Sequence, residues 1–353
     1  MESTVMTQGS DVSAAPSKGT GWGPVYYLAL ASVPLLAYQF WTLLTWLADG
    51  PFPVNQYRET GSTSWYAARI IEVLLILVAL VMIAGIVRDC RRQRRLTFDA
   101  MLLIGLTATI FWDTFVTFIE PIWFYSSNWV NLNDWWGHAP LIQNTTAGTT
   151  PFPVLFLGFL YPVGCLGAAM LVTLPMHWAQ RRWPDISNGK LVGVAFLSAI
   201  PVWFCIDGIL VITHLWGGPG MWLALPLISN LLGEGYHWSV MELGYCICWG
   251  TFLGCLRFFK DDQGRGLTER GIQGLGPRLR TAISVLATIT VLNLAVIVLE
   301  MPVLFTGFFS SHAYPHYPHH LVNGVCDAPG WTDTPYGPCP GSKGFRVPLK
   351  STQ

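Results

Sequence analysis

Three pairs of polar residues stand seven apart in otherwise apolar stretches: Asp113 and Glu120, Asp207 and His214, Asn293 and Glu300. Seven residues are close to two helical turns, so each pair lies on one helix face, about 10 Å apart along the axis. The first pair is set among Phe111, Trp112, Phe115 and Phe118. A carboxyl in such surroundings is costly unless it is paired, protonated or turned to a cavity. The chemistry open to such groups is proton transfer, and ionisable groups inside a membrane are functional by default. Plainer readings stand beside this one. The tryptophans around Trp135 form an interfacial belt. Arg69 and Glu72, three apart, can neutralise each other. His214 stands at a helix end and can serve as a cap. Glu242 and Glu300 lie near interfaces, where acids are hydrated cheaply. Asp113 and Asp207, about two turns inside their segments, are the hardest to explain this way.

The elements that must position these groups are long and apolar. Of 353 residues, 52% are hydrophobic and only 11% charged, against about 25% charged in soluble domains. Lys+Arg and Asp+Glu are 20 each, so no basic excess points to nucleic acid. Seven stretches are long enough to span a bilayer, near 25–48, 66–87, 98–119, 153–178, 191–215, 240–259 and 282–304. Residues 221–238 read as a re-entrant or interfacial piece. The expected fold is therefore all-α: a polytopic bundle of about seven spans over residues 22–304. A disordered segment precedes it at 1–21, and an irregular tail follows at 305–353.

Lys and Arg placement gives the expected orientation. The links after the second, fourth and sixth stretches hold most of the basic residues, including Arg88 to Arg95, Arg181, Arg182 and Arg257 to Arg280. The N-terminus is then cytoplasmic and the C-terminus extracytoplasmic, in the cell membrane. With that orientation the ionisable groups of the spans share the outer half, which predicts a polar cavity opening outward over an apolar floor. Arg69, Glu72, Trp112, Asn128, Trp135, His214 and Glu242 are expected to line it and touch the substrate. Cys326 and Cys339 lie in the outer tail among Gly and Pro, thirteen apart, and are expected to form a disulfide. His312, His316, His319 and His320 crowd the same tail. Proline interrupts their register, and no metal site is expected from them.

The stretch FWDTFVTFIEPIWFYSSNWVNLNDWWGHAP, together with NGVC and YGPCPG in the tail, resembles the spirocyclase AveC-like family of multi-spanning actinobacterial membrane proteins. The resemblance covers the chain from about Trp22 onward. Where this chain has Asn131-Leu-Asn-Asp-Trp-Trp, the family pattern has a Gly-Ser-Trp-type sequence, which implies a different substrate-facing loop. The resemblance implies spiroketal cyclisation or dehydration of a lipophilic polyketide-like substrate. Such chemistry needs an acid for the departing hydroxyl, a base for the attacking one and an anion beside an oxocarbenium-like centre. The expected catalytic residues are Asp113 as acid, with Asp207 or Glu120 as base, and Glu300. Aromatic walls would shield the cation from water. Neither a cofactor nor a nucleic-acid partner is expected; membrane lipid is. The rival expectation is a lipid-binding or proton-coupled carrier using the same acids.

Overall fold

The computed structural model describes residues 23–54, 57–115, 124–141, 151–217, 240–304 and 319–322. Seven helices match the seven expected spans: α1 Pro24–Asp49, α2 Thr63–Gln93, α3 Phe98–Asp113, α4 Val154–Arg182, α5 Asn188–Ile212, α6 Val240–Phe258 and α7 Pro277–Leu304. By length and composition, α1, α2, α4, α5 and α7 can each cross a membrane. The apolar stretch of α6 is shorter, Leu243–Phe258. The 16 residues of α3 rise about 24 Å, less than the ~30 Å of a hydrocarbon core. The expected span runs on to 119; α3 ends at Asp113 with Thr114 as its C-cap, Phe115 is again helical, and residues 116–119 lie outside the described ones. Glu120, residues 221–238, His312, His316, Cys326 and Cys339 lie outside the described residues.

Local chemistry sets several helix starts. Ser62, Thr97 and Ser187 each accept a backbone N–H from the first turn, the N-cap geometry of short hydroxyl side chains. Pro24 opens α1, where its missing N–H costs nothing. Inside α4, residues Leu160–Gly164 form a single π turn. Pro162 stands in it and withholds one ladder donor.

α3 is the centre of the bundle. One side packs on α7, which in turn packs on α1; the other meets the π turn of α4. α4, α5 and α6 pack on one another. Gly105 permits the close approach of α3 to α7, since a Cβ there would lie 2.5 Å from Leu292 Cδ1. Asn293 ties three helices: its Oδ1 accepts from Gln39 Nε2 and from Trp112 Nε1, both at 2.8 Å. Apolar surroundings make such a fully satisfied knot a device for fixing register.

Two opposite ends result. At one, Arg257 bonds both oxygens of Asp99, at 2.9 and 3.0 Å, and reaches Thr173 Oγ1 at 2.9 Å. That end carries the basic links. At the other, the chain builds a cap over the bundle. β1 Phe124–Tyr125 pairs antiparallel with β4 Trp216–Gly217, and β2 Asn131–Asn133 with β3 Pro151–Pro153. Pro53 bridges to Leu132, so the α1–α2, α3–α4 and α5–α6 links meet in one structure.

Candidate active site

The cap is anchored from α2. Arg69 Nη1 meets Glu72 Oε2 at 2.9 Å, and Arg69 Nη2 donates to the Asn128 carbonyl at 2.6 Å. Glu72 Oε1 accepts the Val130 N–H, and Arg58 donates to the Ser127 and Trp129 carbonyls. Burial, then the like charge of Arg69, lower the Arg58 pKa, partly offset by Glu72. Asn128 Oδ1 accepts the Glu59 N–H. Backbone carbonyls at the cap thus meet cations, and the buried Glu72 is paired. Of the expected substrate contacts, Arg69, Glu72 and Asn128 thus hold the cap, while Arg69 Nε and Asn128 Nδ2 have no partner among the described residues.

Trp112 and Trp135 face the α1 and α7 side. Trp135 stacks on Phe111 at 5.8 Å and donates its Nε1 to the Phe111 carbonyl. His214 holds the left-handed backbone position just past α5, at φ 57, a C-terminal role more often given to Gly or Asn. Its ring stacks on His320 at 6.1 Å, and His320 Nδ1 is 3.1 Å from Glu59 Oε2. Burial, reinforced by the neighbouring His320 and opposed by Glu59, pushes the His214 pKa down to about 4. It is neutral near pH 7.

Asp113 and Asp207 come together. Both line a cavity of about 60 Å³ enclosed by β1, β4, the π turn, α5 and α6. Asp113 is the last residue of α3, so its side chain projects where the helix stops. Tyr125 donates to its Oδ2 and Tyr161 to its Oδ1, each at 2.8 Å. Tyr125 is placed by its register with Trp216, another wall of the cavity. Tyr161 is placed by the π turn, which shifts it relative to a regular helix.

Asp207 is reached differently. It sits on α5 four residues after Trp203, so both face the same way. The Cys246 thiol on α6 bonds it, while its Oδ2 is buried without a partner among the described residues. The Trp203 indole N–H is also buried and unmatched among those residues, while Trp249 bonds the Cys165 thiol, and Asp207, Trp203, Trp249 and Cys165 all line this cavity. Gly250 makes room for Trp203, whose indole occupies the place a Cβ would take. Buried polar atoms left open cost free energy. An acceptor without a partner beside a space for a few waters is poised for a bound hydroxyl or water.

Glu300 stands beside this group. Tyr245, a cavity residue, approaches Glu300 Oε1 at 3.4 Å, and both are near Tyr161. Glu300 is 2% exposed. The Glu242 side chain lies outside the described residues, as does Glu120. Sequence reasoning missed Tyr125, Tyr161, Tyr245, Trp203 and Trp249. Trp203, one turn before an intramembrane acid, and Tyr161 beside an intrahelical proline were available signals.

No curated protein and no solved structure matches the chain. The family described as Spirocyclase AveC-like matches residues 93–319, well over half of the sequence. That range holds Asp113, Tyr125, Tyr161, Asp207, Tyr245 and Glu300, the polar framework of the site just described. By that match the chain belongs to the spirocyclase AveC-like family.

Proposed function

We propose that this protein is an integral-membrane acid–base enzyme that closes a spiroketal on, or dehydrates, a lipophilic polyketide-like substrate. The observation that carries the reading is the pair of carboxyls, Asp113 and Asp207, on one aromatic-walled cavity, with Asp207 Oδ2 left without a partner among the described residues. A space of about 60 Å³ holds the reacting oxygens, and the rest of a lipophilic chain extends beyond it.

The hydrogen bonds divide the roles. Both oxygens of Asp113 already accept a tyrosine hydroxyl, which suits an anion that stays in place. Asp207 has the open oxygen, so it is the group that delivers a proton. This assignment exchanges the role expected of Asp113 from sequence. In the cyclisation, one substrate hydroxyl adds to the ketone to give a hemiketal. Asp207 protonates the hemiketal hydroxyl, which leaves as water. The Asp113 carboxylate stabilises the oxocarbenium-like centre and takes the proton of the second hydroxyl as its oxygen attacks. One water is lost, and the proton returns from Asp113 to Asp207 to reset the site. In the dehydration, Asp207 protonates the departing hydroxyl and Asp113 accepts a proton from the adjacent carbon as the double bond forms. Glu300, through Tyr245, adds a further carboxyl at the edge of the site. Arg69, Glu72 and Asn128 hold the cap against the substrate, and Trp112, Trp135 and His214 stand near that cap region. No cofactor takes part in these steps.

The cap end is extracytoplasmic in this reading, with the basic links in the cytoplasm. Cysteines placed singly at Arg92 and Gln263, both exposed, should resist a membrane-impermeant thiol reagent in intact cells, while one at the exposed Thr60 should react. Labelling at Gln263 would reverse the orientation. The function itself is tested by deleting the gene and profiling lipophilic metabolites. A compound one water heavier than the wild-type product should accumulate. Accumulation of the finished product inside the cell would instead identify a carrier.

A further inference from the structure

A second cavity lies at the end away from the cap. It measures about 650 Å³ and runs between the last turns of α2, the start of α3 and the link from α6 to α7. Its wall is apolar: Leu77, Val78, Val81, Met82 and Ile86 from α2, and Met170 from α4. Along α2 it extends from Leu77 to Gln93, about 24 Å at helical rise. That is about the depth of one leaflet, acyl chains and headgroup layer together. Its rim is polar, with Asp89, Gln93, Arg95, Asp99, Lys260 and Glu269.

The rim charges are not equivalent. Asp99 is taken up on both oxygens by Arg257. Glu269 accepts the Gly266 N–H at 2.8 Å. Asp89 is flanked on its own helix by Arg88, Arg91 and Arg92. Lys260, by contrast, makes no ion pair among the described residues, and Arg95 bonds only the neutral Gln93 amide at 3.2 Å. The turn beside Lys260 is built to be firm. Asp261 accepts from the backbone of Gln263 and Arg265 and from the Arg265 side chain at 2.7 Å. Gly264 supplies the positive φ of 71 that the turn requires. Arg270 clips the start of the turn through the Phe259 carbonyl. Two cations without a carboxylate partner thus stand over an apolar trough.

We propose that this groove binds one anionic phospholipid of the adjacent leaflet, its phosphate between Lys260 and Arg95 and one acyl chain along Leu77 to Ile86. Volume, length and charge agree on that occupant: pockets for ligands of this kind run to about 300–1,000 Å³, and basic groups at the membrane surface select anionic headgroups. The site is separate from the acid pair and stands without the enzymatic reading.

The test is native mass spectrometry of the delipidated full-length protein, offered dioleoylphosphatidylglycerol or dioleoylphosphatidylcholine. One phosphatidylglycerol should remain bound, with a preference over phosphatidylcholine of about 30-fold from two basic groups. Lys260→Gln with Arg95→Gln should abolish the preference and leave weak, headgroup-blind adducts. Val81→Trp should remove both lipids by filling the trough. Val81 is 75% exposed, so tryptophan there disturbs no packed neighbour, and an unchanged gel-filtration profile checks folding. Equal retention of the two lipids, or adducts indifferent to all three substitutions, would overturn the site. So would a protein dimer that Val81→Trp dissociates, which would place a second copy in the groove. Displacement of the lipid by inorganic phosphate alone would remove the role given to the acyl chain.

Discussion

Asp113→Asn and Asp207→Asn should each lower product formation by about 10²–10⁴-fold, the usual contribution of one general acid or base. Membrane abundance should stay near wild type. For Asp113 the reason is geometric. Asparagine fits the same space, its Oδ1 can accept one tyrosine hydroxyl, and its amide can donate to the oxygen of the other. For Asp207 the open Oδ2 has no partner to lose among the described residues. Because the two groups act in one step, the double variant should be only slightly worse than the poorer single one. Phe115→Leu is the packing control. Phe115 lies 4.5 Å from the Trp136 ring and near Trp112. Its replacement should cost about 1 kcal/mol of stability with little loss of turnover per folded molecule. Product formation normalised to abundance, measured for all four proteins, checks this. Equal losses of abundance and product in Asp113→Asn would make that carboxyl structural.

Arg69→Met should be the most destabilising single change at the cap. It leaves Glu72, whose side chain is 3% exposed, without its ion-pair partner, and releases the Asn128 carbonyl. Removing one partner of a buried pair costs about 3–5 kcal/mol; the low end applies because Arg69 is 30% exposed. Arg69→Met combined with Glu72→Leu should recover most of the loss, since an apolar pair of similar size is tolerated where a lone charge is not. Thermal unfolding of the four members of this cycle, in one detergent, measures the coupling. If instead all three variants keep wild-type stability and only lose substrate affinity, the two residues bind substrate directly and the cap does not depend on them.

The helical bundle was legible because its signal is redundant: apolar length and the spacing of breaks each give the same seven segments. Asp113 and Asp207 stood out in the sequence because a lone acid well inside a span has few cheap explanations. Their relation to one another did not. Asp113 and Asp207 line one cavity between α3, α5 and the α4 bulge, and no spacing in the sequence encodes it. The heptad intervals suggest pairs within a helix, whereas Asp113 and Asp207 share a cavity between helices. Tyr161 escaped notice because a tyrosine in an apolar stretch reads as core or belt. Only the π turn, an irregularity of hydrogen bonding, aims its hydroxyl at the acid. The tryptophans around Trp135 read as an interfacial belt from sequence, whereas Trp129, Trp135 and Trp136 are buried in the core. That Trp203 and Trp249 meet Asp207 around one cavity depends on tertiary placement.

The most direct measurement of the acid–base account uses the metabolite that accumulates on gene deletion. Purified wild-type protein in lipid nanodiscs is incubated with it, beside Asp113→Asn and Asp207→Asn proteins at equal folded concentration. The expected result is catalytic conversion to a compound lighter by one water, with many turnovers for wild type and almost none for either variant. Binding of the compound by all three proteins with no change in its mass or structure would contradict the account, and the acids would then belong to a carrier.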